Sequence, residues 1–132
     1  MMADESKLRV LLADDHAGVL AALQRLLEPS YRVVGTVMHG EALLQAAARL
    51  APDVVVLDVV LSDVSGLDLC RQIKQRLPGA KVIMLSAASD RVAIEEAFRV
   101  GASAFVAKNL AGEHLVPAIQ QAMRGGTYCS SL

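Results

Sequence analysis

The sequence predicts an α/β protein: five parallel strands, each followed by a helix, (βα)5, in three α/β/α layers. Two observations predict it. Short apolar runs, most of them dense in Val, Leu and Ile rather than strictly alternating, recur along the chain, as strands covered on both faces require. Between them lie longer segments whose apolar residues repeat at helical spacing and stop at Pro or Gly. Strands alternating with helices pack as a doubly wound parallel sheet.

The strands are expected at Leu8–Ala13, Arg32–Val37, Asp53–Leu57, Lys81–Leu85 and Ala104–Ala107. The last, in "SAFVAK", is poorer in branched residues and reads as a candidate edge strand. Val19, Leu20, Leu23, Leu26 and Leu27 stripe a first helix that ends at Glu28-Pro29. Ala42, Leu43, Ala46, Ala47 and Leu50 stripe a second, stopped before Pro52. Leu69, Cys70, Ile73 and Leu77 mark a third, ended by Pro78-Gly79, and Ile94, Ala97 and Phe98 a fourth, ended at Gly101. Leu115, Ile119, Ala122 and Met123 mark a fifth, ended at Gly125-Gly126. Pro117 lacks a backbone donor, so this last helix is expected to start just before it or to bend there.

A chain of 132 residues, 54% hydrophobic and 20% charged, suits one folded domain rather than a disordered tail. The formal charge of -1 offers no overall basic excess for nucleic acid. Cys70 and Cys129 have neither metal-ligand spacing nor a disulfide framework and read as reduced thiols, Cys70 in the core. The start, "MMADESKLRV", lacks a signal peptide's apolar stretch, and no apolar run reaches the ~18 residues of a membrane span. A cytoplasmic location is expected, with residues 1–6 a disordered segment and 127–132 the start of a linker or a C-terminal tail.

In such a sheet, ligands collect beyond the carboxyl ends of the strands, where the strand order reverses. Asp14 and Asp15 end the first strand, Asp58 the third, Ser86 the fourth and Lys108 the fifth. Any one of these is an ordinary polar residue where a strand meets water; five on one rim are a constellation. Three carboxylates and one lysine leave two negative charges, which a divalent cation would offset. Oxygen ligands and an open pocket favour Mg²⁺ over a closed Ca²⁺ cage. A carboxylate beside Mg²⁺ and a lysine can act as a nucleophile toward phosphorus. No phosphate-binding glycine loop, dinucleotide fingerprint or Gly-x-Ser-x-Gly elbow is present.

The stretches "LLADDH", "PDVVVLDVVLSDVSGLDL", "KVIMLSA" and "GASAFVAK" resemble a response-regulator receiver domain of the CheY-like superfamily over about residues 7–126. The wording "ADDH", "GAS" and "GGTYCSS" is most similar to the NarL/FixJ (LuxR)-type receivers, which usually precede a helix-turn-helix DNA-binding domain. The resemblance implies the strand order 2-1-3-4-5 and a receiver domain over 7–126. It implies Asp58 as phosphoacceptor from a sensor histidine kinase, with Asp14, Asp15, Asp58 and the Val60 main-chain carbonyl holding Mg²⁺. Lys108 would pair with the phosphoryl oxygens, Ser86 would move to hydrogen-bond them, and Phe105 would be the coupled aromatic that turns inward. The signalling surface would be the fourth helix, fifth strand and fifth helix, a phosphorylation-dependent homodimer is plausible, and DNA would be reached only through an effector domain absent from this chain.

Some residues depart from the family pattern. Leu61 and Ser62 stand where Met-Pro is common, Asn109 replaces the proline of a cis peptide after Lys108, and Phe105 lacks a tyrosine hydroxyl, while Gly66 keeps the expected glycine. Val60 and Ala88 are apolar where the family tunes dephosphorylation, so slow autodephosphorylation is expected. These departures leave open a phosphorylation-independent interaction module. A small phosphatase is disfavoured because Val59-Val60 follow Asp58 without a second acid. Of the rest, His16 is read as starting a helix at the pocket rim, and His39 and His114 as lying at helix starts. Met38 and Met84 are read as core fillers, Arg71, Lys74 and Arg76 as a solvated face, and Ser89-Asp90 as a helix cap.

Overall fold

A computed structural model describes residues 7–61, 64–88 and 90–130. The segment expected to be disordered, 1–6, lies outside the described residues, as do Ser62 and Ser89. The elements run β1 Arg9–Ala13, α1 Ala17–Leu27, β2 Arg32–Val37, α2 Gly40–Leu50, β3 Val54–Asp58 and α3 Gly66–Arg76. They continue through β4 Lys81–Ser86, α4 Arg91–Arg99, β5 Ala104–Ala107, a 3-10 turn Lys108–Leu110, α5 Ala111–Met123 and β6 Tyr128–Cys129. The sheet order is β2-β1-β3-β4-β5-β6, and every pair is parallel.

Because side chains alternate along a strand, the near-continuous apolar runs feed two cores at once. Val10, Leu12, Val54, Val56, Ile83, Leu85 and Val106 face α1 and α5, meeting Leu20, Leu23, Leu27, Leu115 and Ile119. Leu11, Leu57, Val82, Met84 and Phe105 face the other way, toward Leu43 of α2, Leu69, Cys70 and Ile73 of α3, and Ile94 of α4. β1 lies between β2 and β3. The chain therefore winds away on both sides of it, and the crevice for a ligand opens at the carboxyl ends of β1 and β3.

Caps fix the helices that leave this edge. The Ser65 hydroxyl accepts from the Leu67 N–H at 3.2 Å to start α3, and Asp90 Oδ1 accepts from the Ala93 N–H at 2.8 Å to start α4.

Three expectations need correction. β5 is not the sheet edge: Tyr128–Cys129 pair with Ala104–Phe105, because the chain turns back at Gly125-Gly126 and meets β5's unpaired backbone. Of the two alternatives for Pro117, a helix start just before it is the one corrected: the helix begins at Ala111, six residues earlier, where the 3-10 turn runs directly into it. The carbonyl that Pro117 leaves without a donor belongs to the exposed Glu113, where water can serve it. Lys74 is not part of a solvated face: its ammonium donates to the Pro78 and Ala80 carbonyls at 2.8 Å each, tying the end of α3 to the start of β4.

Candidate functional site

At the end of β1 the Asp14 N–H still donates to the Val37 carbonyl of β2, and the chain then leaves the sheet. The exit lets neighbouring side chains share one site, which a continuing strand forbids. The Asp14 side chain turns back to accept from the His16 N–H at 2.9 Å, and α1 begins one residue later. Asp58 ends β3 in the same crevice, its Oδ1 accepting from the Val60 N–H at 3.0 Å. Ligand atoms of Asp14, Asp15, His16 and Asp58 all lie within 4.8 Å of one another.

Lys108 reaches this cluster from the end of β5. Its Nζ stands 2.7 Å from Asp14 Oδ2 and 2.7 Å from Asp58 Oδ2, so one ammonium bridges two carboxylates. Asp14 is fully buried, Asp58 nearly so, and Asp15 partly exposed. Burial pushes the Asp58 carboxyl above its usual range, with help from the Asp14 charge, against the opposing bonds from Lys108 and Val60. Burial also works against ionised Asp14, but the Lys108 ammonium beside it and the bonds from His16 outweigh it and hold that carboxyl below its usual range. Desolvation would lower the Lys108 ammonium; the two carboxylates overcome it and raise it. The arrangement keeps Lys108 charged and leaves Asp58, of the two carboxylates it bridges, the less content with its charge.

The other residues singled out in the sequence are placed as follows. Ser86 ends β4 and its hydroxyl engages the backbone of Ala88, donating to the carbonyl and accepting from the N–H. Phe105 is already fully buried, in the core against α2, α3 and α4. Val60 carries an exposed side chain and forms an isolated antiparallel bridge with Ser65. Leu61 is buried in the core, whereas Ser62 lies outside the described residues. The Lys108–Asn109 peptide is trans, since no cis bond occurs among the described residues, and both residues sit in the 3-10 turn.

Two residues named in the sequence take on roles that the sequence alone did not give them. His16 caps α1 as expected, yet its Nδ1 also stands 3.0 Å from Asp14 Oδ1 and 2.9 Å from Asp15 Oδ1. The signal was its place directly after the acid pair, at the exit from the strand. Gly66 is the second: a Cβ there would sit 2.2 Å from the Asp58 carbonyl oxygen and 2.7 Å from that of Val59. Only a glycine lets α3 start this close to the strand that carries Asp58.

Comparison with known proteins matches this geometry to one family. A family model for the response regulator receiver domain matches residues 10–120. The transcriptional regulatory protein MctR of Rhizobium johnstonii is 34% identical over 132 residues, covering 98% of this chain and 62% of that protein. The DNA-binding transcriptional activator DevR/DosR of Mycobacterium tuberculosis is 35% identical over 122 residues, covering 89% and 55%. Among solved structures, a LuxR-family two-component response regulator from Aurantimonas superposes with a TM-score of 0.90 at 30% identity, covering 96% of this chain and 91% of that one. The DrrB receiver domain activated by BeF3 superposes with a TM-score of 0.81 at 32% identity, covering 89% and 98%. The chain thus spans less than two thirds of the length of these two curated relatives. Among the described residues no helix is long and apolar enough to cross a membrane.

Proposed function

The chain belongs to the response-regulator receiver family, and from that premise we propose that it is switched by phosphorylation of Asp58, a sensor histidine kinase being the donor. One observation carries the reading: Lys108 Nζ lies 2.7 Å from the carboxylates of both Asp14 and Asp58 at the carboxyl edge of the sheet. That geometry sets a nucleophilic carboxylate beside a fixed cation, which phosphoryl transfer requires.

The residues fit a hard divalent cation. Asp14 Oδ2 and Asp15 Oδ1 are sealed from solvent without a hydrogen bond of good geometry, although Lys108 and His16 stand at ion-pair distance. Buried anionic oxygens of this kind are costly unless a cation meets them. Asp14, Asp15, Asp58 and the main-chain carbonyl of Val60 would hold Mg²⁺. Bound there, Mg²⁺ would neutralise charge on the transferred phosphoryl group.

In the reaction, a carboxylate oxygen of Asp58 attacks phosphorus while the P–N bond to the kinase imidazole breaks. A P–O bond forms, and the imidazole leaves with the electron pair. Lys108, already held between Asp14 and Asp58, turns toward the new phosphoryl oxygens. Ser86 then exchanges its bonds to Ala88 for one to the phosphoryl group, a two-state shift driven by new charge-assisted contacts. Phe105 is buried before any such event, so its part in the switch is to hold an inward position. Output would pass through α4, β5 and α5 to a phosphorylation-dependent homodimer, with DNA bound by an effector domain outside this chain. The relatives named as transcriptional regulators support that output.

The test is incubation with Mg²⁺ and acetyl phosphate followed by intact-mass measurement. A single phosphate adduct that disappears in Asp58→Asn is expected. Absence of any adduct on the wild-type chain overturns the proposal, and repeated turnover of a phosphate ester would favour a phosphatase instead.

A further inference from the structure

β6 does more than lengthen the sheet. The Tyr128 N–H donates to the Ser103 carbonyl at 3.1 Å, and the Ser130 N–H to the Phe105 carbonyl at 3.0 Å. The ladder then ends, but the next backbone donor on β5 does not go unmet: the Ala107 N–H donates to the Ser130 hydroxyl at 2.8 Å. Ala107 is the residue immediately before Lys108. The strand is anchored at its other end by Tyr128, whose hydroxyl stands 2.6 Å from Nδ1 of His114 on α5, the two rings 6.0 Å apart. Tyr128 packs on the core under α1 and α5, and Cys129 on the core of the opposite face.

From these contacts we propose that Ser130 is a positioning residue for Lys108. Its hydroxyl holds the last turn of backbone on which the bridging ammonium is mounted, and so couples the docking of the C-terminal strand to the carboxylate cluster. Lys108 belongs to a 3-10 turn whose preceding residue, Ala107, is extended, so the chain changes direction at the point where Ser130 grips it. Without the hydroxyl, the Ala107 N–H loses its partner and the lysine's point of attachment is free to shift. A cation bridging two carboxylates at 2.7 Å tolerates little displacement. Coupling of this kind is reciprocal: a change in the ligation of Lys108 must alter the docking of Tyr128–Ser130 by the same free energy.

The inference deepens the phosphorylation reading in one of its readouts and stands apart from it in the other. The independent readout is the ¹H–¹⁵N signal of the Lys108 ammonium in the unphosphorylated protein, assigned by its loss in Lys108→Met. Ser130→Ala is expected to shift or broaden it, and Ser130→Thr, which keeps the hydroxyl, to restore it, with only a small fall in thermal stability in Ser130→Ala because water can reach the half-buried Ala107 N–H. The dependent readout is the rate of adduct formation with acetyl phosphate, expected to fall about 2- to 30-fold in Ser130→Ala and to recover in Ser130→Thr. An ammonium signal identical in wild type and Ser130→Ala overturns the proposal. A wild type that forms no adduct defeats the phosphorylation reading alone, since the ammonium signal still decides the role of Ser130.

Discussion

Lys108 and Asp58, fifty positions apart in sequence, meet at 2.7 Å because β5 and β3 both end at the carboxyl edge of the sheet, with β4 between them. The contact sets the electrostatics of the crevice. One ammonium is shared by two carboxylates, and burial and the neighbouring charge leave Asp58 raised while Asp14 is lowered. Removing Lys108 should therefore cost the fold more than removing the charge of Asp58.

Lys108→Met is expected to destabilise the fold by about 1–3 kcal/mol, because it leaves two buried carboxylates facing each other without their cation. Asp58→Asn keeps the shape, removes one of the repelling charges and leaves Lys108 with Asp14, so its cost should stay below about 1 kcal/mol. Urea denaturation of the three proteins at neutral pH checks this; Lys108→Met as stable as wild type would contradict it.

Cation binding should appear as stabilisation. Mg²⁺ at about 100 times its dissociation constant adds about 2.7 kcal/mol to a native state that binds one ion. The gain in thermal midpoint on adding Mg²⁺ should shrink in Asp58→Asn and further in Asp15→Asn. An equal gain in all three would place the ion elsewhere.

Gly66 and Gly18 make a matched pair. A Cβ at Gly66 collides with the Asp58 and Val59 carbonyls, which are backbone and cannot swing aside. Gly66→Ala should cost about 2 kcal/mol or more and displace the end of β3, reducing phosphorylation as well. At Gly18, exposed in the first turn of α1, nothing lies within 4 Å of an added Cβ. Gly18→Ala should stabilise by about 0.5–1 kcal/mol through helix entropy, with phosphorylation unchanged. Thermal midpoints and adduct yields for the two variants separate backbone crowding from loss of glycine as such.

Much of this architecture is legible in the residues because two periodicities carry it. The unbroken apolar runs at 54–57 and 82–85 can be satisfied only by cover on both faces, and the helices are punctuated by Pro29, Pro52 and Pro78. The convergence of Asp14, Asp15, Asp58 and Lys108 follows from their places at strand ends. Other features depend on tertiary contacts with no local signature. The segment Tyr128–Cys129 is too short to declare itself a strand and becomes one only against the free edge of β5. Lys74 reads as a surface charge until the turn at Pro78-Gly79 brings two carbonyls to it. The Nδ1 of His16 reaches the acids only because the chain bends out of the sheet at Asp14.

The two cysteines should differ in reactivity and in their effect on stability. Cys70 is fully buried and its thiol is pushed up to about 11 by burial, only partly offset by the charge of Lys74. Cys129 is partly exposed on β6, so iodoacetamide at mildly alkaline pH should label it first. The neutral thiol of Cys70 is favoured in the fold, so its contribution is complete below the unfolded value of 9.0 and is lost as pH rises toward about 11. Across that window wild type should lose about 3 kcal/mol that Cys70→Ala does not. Parallel losses in the two proteins would contradict the assignment.

The lifetime of the phosphorylated state should be set in part by Val60. Its N–H binds Asp58 Oδ1, which fixes its backbone at the site, while its side chain is 69% exposed and apolar. Hydrolysis of an acyl phosphate needs a water held in line with the bond that breaks, and a valine offers that water no hydrogen bond. Ala88, whose backbone engages Ser86, is equally unable to supply one. The adduct should therefore persist for minutes or longer in Mg²⁺ buffer, and Val60→Glu should shorten its life several-fold by giving the water an acceptor. Because Val60 is exposed, that variant should fold normally. Decay of the wild-type adduct within seconds, or a lifetime unaltered in Val60→Glu, would show that another group positions the water.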